Sequence, residues 1–193
     1  MDSTNVEAMA CLASHYFYTD QPEIALRYYR RLLQIGVNNT ELWNNLGLCC
    51  IHAGQYDITL NCFQRALELA SDDNMADVWY NISQVAIGIG DLGLAYQTLK
   101  IAVSIDSNHG ESYNNLGVLE LRKSNIEQSR SNFFTASRLH EFMFEPVYNG
   151  ALLAYKVGDF QECHHCLRKA NSIYPEHGDS LELQRMLRQY FMQ

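Results

Sequence analysis

No stretch of this 193-residue chain approaches the ~18 consecutive apolar residues that a membrane-spanning helix needs, and the first thirty residues lack a basic start with a long apolar run behind it. The expectation is a soluble, intracellular protein without membrane insertion. Six cysteines in that setting are expected to stay as reduced thiols, and the sequons Asn38-Asn39-Thr40 and Asn81-Ile82-Ser83 become chance matches. Positive charge is scarce: 14 Lys and Arg face 22 Asp and Glu, a net charge of −8. The deficit is central, where Glu41, Asp57, Glu68, Asp72 and Asp73 are set against Arg65 alone. Such an acidic centre argues against nucleic acid, whose phosphates need a basic footprint, and is compatible with basic partners. No run alternates with period two for long enough to suggest a sheet. There is no phosphate-binding glycine loop, no G-x-S-x-G, no H-E-x-x-H, and no spacing that brings several of the seven histidines together. An enzyme is therefore not expected, and no cofactor or catalytic residue is assigned.

What is present is a period of thirty-four residues, with a two-residue insertion at Asn74 and Met75. It gives five windows, 6–39, 40–73, 76–109, 110–143 and 144–177. The fourth place of each holds Met9, Trp43, Trp79, Tyr113 and Val147, and the seventh Leu12, Leu46, Ile82, Leu116 and Gly150. The eighth is small throughout: Ala13, Gly47, Ser83, Gly117 and Ala151. Small residues recur at the twentieth place, Ala25, Thr59, Ala95, Ser129 and Cys163, and large ones at the twenty-fourth, Tyr29, Phe63, Leu99, Phe133 and Leu167. These spacings draw one apolar stripe on each of two helices per window, with turn signals between them at the fifteenth and sixteenth places.

The large-small order resembles the tetratricopeptide repeat, a helix-turn-helix unit of this length. The expected fold is all-α: a solenoid of five such repeats, closed by an amphipathic capping helix over 178–192, forming a single array over 6–193 after a short extension, residues 1–5. Nothing in that extension is long enough to cover the outer face of the first repeat. That face is expected to meet another protein or repeats preceding this chain.

One run has metal-like spacing, Cys163-His164-His165-Cys166. Cys163 fills the small twentieth place and Cys166 the twenty-third, which Cys62 also occupies in the second window, so packing is expected rather than a zinc site with its four converging ligands.

In repeats of this family the first helices line a concave surface, and the resemblance implies that places two, five, six, nine, twelve and thirteen point into it. Two ladders then stand out. The sixth place holds Cys11, Asn45, Asn81, Asn115 and Asn149, and the second Glu7, Glu41, Asp77, Glu111 and Glu145. A row of amides one repeat apart can pair with the backbone of an extended peptide, or it can bond to the preceding repeat and fix the stacking angle. The acids either complement the helix N-termini, by ~0.3 to 1 kcal/mol each, or give the groove a negative rim that selects basic segments. The fifth place offers Ala10, Asn44, Tyr80, Asn114 and Tyr148, with no lysine or arginine to clamp a C-terminal carboxylate. The candidate partner-binding residues are Asn45, Asn81, Asn115, Asn149, Glu41, Asp77, Glu111 and Tyr80.

Beyond the generic repeat, the run from Pro22 to Gln34, then Asn44 to Cys50, Ala76 to Asn81 with Gly88 to Asp91, and Tyr113 to Lys123 resemble the tetratricopeptide subunits of the BBSome. The likeness includes surface positions that the repeat does not dictate, such as Gln21, Arg30 and Lys123. It implies a scaffold in ciliary membrane-protein transport and cilium assembly. It further implies other BBSome subunits as partners, and a location in the cytoplasm, cilium, basal body and centrosome region. Family members are longer, and the chain matches their C-terminal repeat region. A peptide-binding adaptor of another cytosolic complex is the other reading.

Overall fold

The computed structural model describes residues 5–191. The expected N-terminal extension, apart from Asn5, and residue 192 at the end of the expected capping helix lie outside the described residues. Apolar residues spaced by three and four and interrupted every fifteen or so positions fold as short helices, and the described residues form eleven of them with no strand. The helices are α1 (Val6–Tyr18), α2 (Pro22–Gln34), α3 (Thr40–His52), α4 (Tyr56–Leu69), α5 (Met75–Gly88) and α6 (Leu92–Ile105). They continue with α7 (Gly110–Arg122), α8 (Ile126–Leu139), α9 (Phe144–Val157), α10 (Phe160–Ile173) and α11 (Gly178–Phe191). The fold is the all-α one expected of tetratricopeptide repeats.

Two compact units are distinguishable, Met1–Thr98 and Leu99–Gln193, and the division falls inside α6. In the first, α1 packs on α2, α2 on α3, α3 on α4, and α5 against α3 and α4. In the second, α7 packs on α8, α8 on α9, α9 on α10, and α10 on α11.

The turn inside each window is the same device five times. The residue at place fifteen is left-handed in every case: Gly54, Gly90 and Gly158 have φ of 70, 83 and 82°, and Asp20 and Ser124 reach 59 and 63°. The amide one residue later donates to the carbonyl five residues back, as Gln21 to Tyr16, Gln55 to Cys50, Asp91 to Ala86, Asn125 to Glu120 and Asp159 to Ala154, at 2.7 to 2.9 Å. This is a Schellman closure, which satisfies carbonyls at the end of the first helix and fixes where the second begins. Several helix starts are capped as well: Asn39 Oδ1 accepts from the Leu42 amide and Asp159 Oδ1 from that of Glu162.

Inside each pair the small places do what their size permits. A β-carbon at Gly47 would lie 3.1 Å from the Phe63 ring, and one at Gly117 only 2.6 Å from that of Phe133. Each ring thus fills the hollow its glycine leaves. Ser129 Oγ, fully buried, adds a 2.8 Å bond across the same contact to the Gly117 carbonyl. Phe63, Phe133, Leu99 and Leu167 are almost wholly buried, and burying each such side chain stabilises by about 1.5–3 kcal/mol. Trp43 and Trp79 are half-buried; Trp43 packs between two core clusters. The structure also buries place three, through Leu42, Val78, Ser112 and Pro146, a position the large-small pattern does not single out. In the second unit Leu183 and Leu187 of α11 pack with Ala151, Ala154, Cys163 and Leu167, so α11 covers apolar surface of α9 and α10.

Candidate functional site

The first helices place the asparagine ladder on their second turn, and in each unit the amides are half-buried rather than solvated. In the first unit, Asn81 Nδ2 of α5 donates to Asn44 Oδ1 of α3 over 3.1 Å. In the second, Asn149 Nδ2 of α9 donates to Asn114 Oδ1 of α7 over 2.9 Å, and Asn114 Nδ2 donates in turn to Asn115 Oδ1 over 3.3 Å. Asn45 stands close enough to the hydroxyl of Tyr29, in the preceding window, to act on its titration. Burial pushes the Tyr29 phenol above its ordinary range, and Ser14 and Asn45 pull it the other way. The amides of Asn81 and Asn149 therefore reach back to the preceding repeat. A single such bond does not exhaust an amide, which has two N–H donors and two acceptor lone pairs.

Asn44 and Asn114 receive those bonds and are themselves buried. Neither is among the residues the ladder pattern selects. The signal that marks them is an alternation at place five, Asn44, Tyr80, Asn114, Tyr148: asparagine where an amide must accept from the next repeat, tyrosine one repeat later.

The acids stand in the first turns of their helices: Glu41 of α3, Asp77 of α5, Glu111 of α7 and Glu145 of α9. Glu41, Asp77 and Glu145 are exposed, and Glu111 is partly so. Glu41 accepts from Asn74 Nδ2 at 3.3 Å, and Glu111 lies 3.6 Å from His109 Nδ1. Tyr80 is half-buried, with its carbonyl accepting from Ser83 Oγ at 2.6 Å. Tyr148, at the same place two repeats on, has its phenol pushed up by burial and then by the carboxylates of Asp179 and Glu182.

Sequence reasoning also passed over His109 and His177, which use Nδ1 to accept from the Ser112 and Ser180 amides at 3.2 Å. A histidine at the last place of a window followed three residues later by a small hydroxyl residue is the signal for such a cap. His177 further lies among the rings of Phe144, Tyr148 and Tyr174, with centroids 4.5 to 5.7 Å away.

The Cys-His-His-Cys run divides around α10: Cys163 is fully buried, His164 and His165 are exposed, and Cys166 is half-buried. Burial pushes the Cys163 and Cys166 thiols up to about 11. Among the described residues no three His, Cys, Asp or Glu side chains gather as metal ligands would, and no helix is long and apolar enough to cross a membrane.

Two family models described as Tetratricopeptide repeat match, one at residues 40–73 and the other at residues 76–109. The chain is 51% identical over 191 residues to the Tetratricopeptide repeat protein 8 of Mus musculus, covering 98% of this chain and 37% of that protein. It is 28% identical over 137 residues to the BBSome complex member BBS4 of Xenopus tropicalis, covering 71% of this chain and 26% of that one. The chain therefore spans between about a quarter and little more than a third of the length of these relatives. Among solved structures, PilF of Pseudomonas aeruginosa superposes with a TM-score of 0.80 at 20% identity, over 97% of this chain and 84% of its own.

Proposed function

The chain belongs to the tetratricopeptide repeat family, and we propose that it acts there as a non-enzymatic scaffold, a BBSome-type subunit that holds other polypeptides during ciliary membrane-protein trafficking and cilium assembly. The observation that carries this is the 51% identity to Tetratricopeptide repeat protein 8, maintained over 191 residues and therefore across exposed positions as well as the core. Its partners are other subunits of such a complex, including extended or basic segments received along the first helices. There Glu41, Asp77 and Glu111 supply negative charge, and Asn45, Asn81, Asn115, Asn149 and Tyr80 supply hydrogen-bonding groups. Its place is the cytoplasm, the cilium and the basal body and centrosome region.

The exposure of Glu41, Asp77 and Glu145 in the first turns of their helices supports an anionic surface of this kind. A solvent-facing acid row attracts basic segments over roughly the Debye length, about 8 Å at physiological salt. The test is co-precipitation from ciliated mouse cells depleted of their own Tetratricopeptide repeat protein 8 and expressing this chain with a tag. The expected result is that BBS4 comes down with it, and that Asn81→Ala with Asn115→Ala weakens capture while helical content stays unchanged. BBS4 absent from the precipitate of a folded chain overturns the assignment.

A further inference from the structure

Four of the five windows carry a leucine or isoleucine at the seventh place, Leu12, Leu46, Ile82 and Leu116, and the fifth carries Gly150. The surroundings do not close the space this leaves: a β-carbon on Gly150 would meet only Cys166 Sγ, at 3.9 Å. Above it opens a cavity of about 510 Å³ between α8 and α10, floored by α9. Phe133, Val147, Leu153 and Ala154 make its depth apolar, and Phe134, 61% exposed, stands at the mouth. A hole of this size with apolar walls and a few polar groups at its edge has the proportions of a ligand pocket.

Its two ends differ in charge. Arg130 of α8 pairs with Asp159 at the start of α10 over 3.7 Å, whereas Lys169, ten residues further along, donates from Nζ to the carbonyl of Ser137 over 3.4 Å. Both contacts advance together, so α8 and α10 run in the same sense. Glu127 and Glu162, in the first turns of the two helices, line the beginning of the cleft beside the Arg130–Asp159 pair. Arg138 and Lys169 line its far end, and the Arg138 guanidinium is held 5.7 Å over the Phe134 ring, at the lip. In a chain of net charge −8, this is a local cationic spot next to an apolar hole.

We propose that this cleft docks a partner-protein segment that inserts a leucine-sized or larger apolar side chain above Gly150 and sets a carboxylate against Arg138 and Lys169. The partner supplies from outside the side chain that the other four repeats supply from within. Asn149, Tyr148 and Glu145 do not line the cleft, so this interaction stands apart from the groove of the first helices. The occupant is the reverse in charge of the basic segments expected there.

The probe is the N-acetyl-leucyl-aspartic acid α-amide, with its side-chain carboxylate free, titrated into the whole chain and followed by amide NMR, with N-acetyl-leucyl-lysinamide and octanoate in parallel. The acidic dipeptide is expected to shift the Gly150 and Cys166 amides saturably, about tenfold more tightly than the basic one, since like charges at a docking edge are penalised. Gly150→Leu fills the hole and is expected to abolish binding without lowering the melting temperature. Arg138→Glu with Lys169→Glu should reverse the preference between the dipeptides, and carries the test on its own if Gly150→Leu does not fold. Equal binding of both dipeptides, absence of saturable shifts, or preference for octanoate overturns the proposal.

Discussion

The ring of Phe133 occupies the place where a side chain on residue 117 would begin: a β-carbon there would sit 2.6 Å from Phe133 Cε1. Gly117→Ala must displace the ring or the backbone, at a cost of about 1–3 kcal/mol for overpacking, offset by up to ~1 kcal/mol of gained helix propensity. A net loss of about 1 kcal/mol, the middle of the resulting range, is expected in urea unfolding. Gly47→Ala, facing Phe63 at 3.1 Å, should lose less, and Phe133→Leu should rescue Gly117→Ala. Equal stability of Gly117→Ala and the parent would mean the ring does not hold that position.

Ser124 holds φ of 63° at a place where three other repeats use glycine. A left-handed backbone costs a residue with a β-carbon roughly 1–2 kcal/mol. Ser124→Gly should therefore raise the melting temperature, and Gly158→Ala, at φ 82°, should lower it. Calorimetry of the two variants, with opposite signs expected, decides the point.

Asn114 both accepts from Asn149 and donates to Asn115, and it is 7% exposed. Removing either member of the Asn149–Asn114 pair leaves the other unsatisfied, at about 1–3 kcal/mol. A double-mutant cycle on the pair should return a coupling of about 0.5–1.5 kcal/mol in urea unfolding. Strict additivity would remove the amide bond from the account of how α7 and α9 are held.

His109→Ala removes the acceptor for the Ser112 amide and should cost about 1 kcal/mol, the usual value of a lost N-terminal cap. His109→Asn keeps a side-chain acceptor in that position and should recover most of it. Indistinguishable thermal melts for the two variants would assign His109 a packing role instead.

Burial pushes the thiols of Cys49 and Cys62 from the ordinary 9.0 up to about 12. The folded state therefore favours the neutral thiols. Their contribution is complete below pH 9 and is lost as the pH rises from there toward 12, because the unfolded chain releases those protons first. The urea midpoint should fall steeply above pH 9, and less steeply in Cys62→Ala. A midpoint flat to about pH 10.5, roughly midway through that window, would contradict the burial of these groups.

The all-α fold is legible in the sequence because two apolar stripes per window recur five times, and the glycine-rich fifteenth place marks the turns. Asp20 and Ser124 hold the same turn without the glycine, which only repetition could reveal. The candidate site was less legible. The sixth-place amides are conspicuous as a ladder, yet the direction of their bonds depends on what stands one repeat away, and Asn44 and Asn114 gain meaning only as their receivers. Gly150 could be recognised as a departure from the pattern, but not as the floor of a cleft.

Residue spacing alone determined the helix pairs, their turns and the small-against-large contacts within each pair, because these are interactions between neighbours in the chain, repeated until the pattern is unambiguous. Only the tertiary structure decided that the amides of Asn81 and Asn149 bond back to the preceding repeat while Asn115 bonds within its own, that Cys163 points inward while its histidines face solvent, and that a missing side chain at 150 stays unfilled. Those outcomes depend on the register between helices some thirty residues apart, where side-chain volume and hydrogen-bond geometry compete and no local preference settles the result.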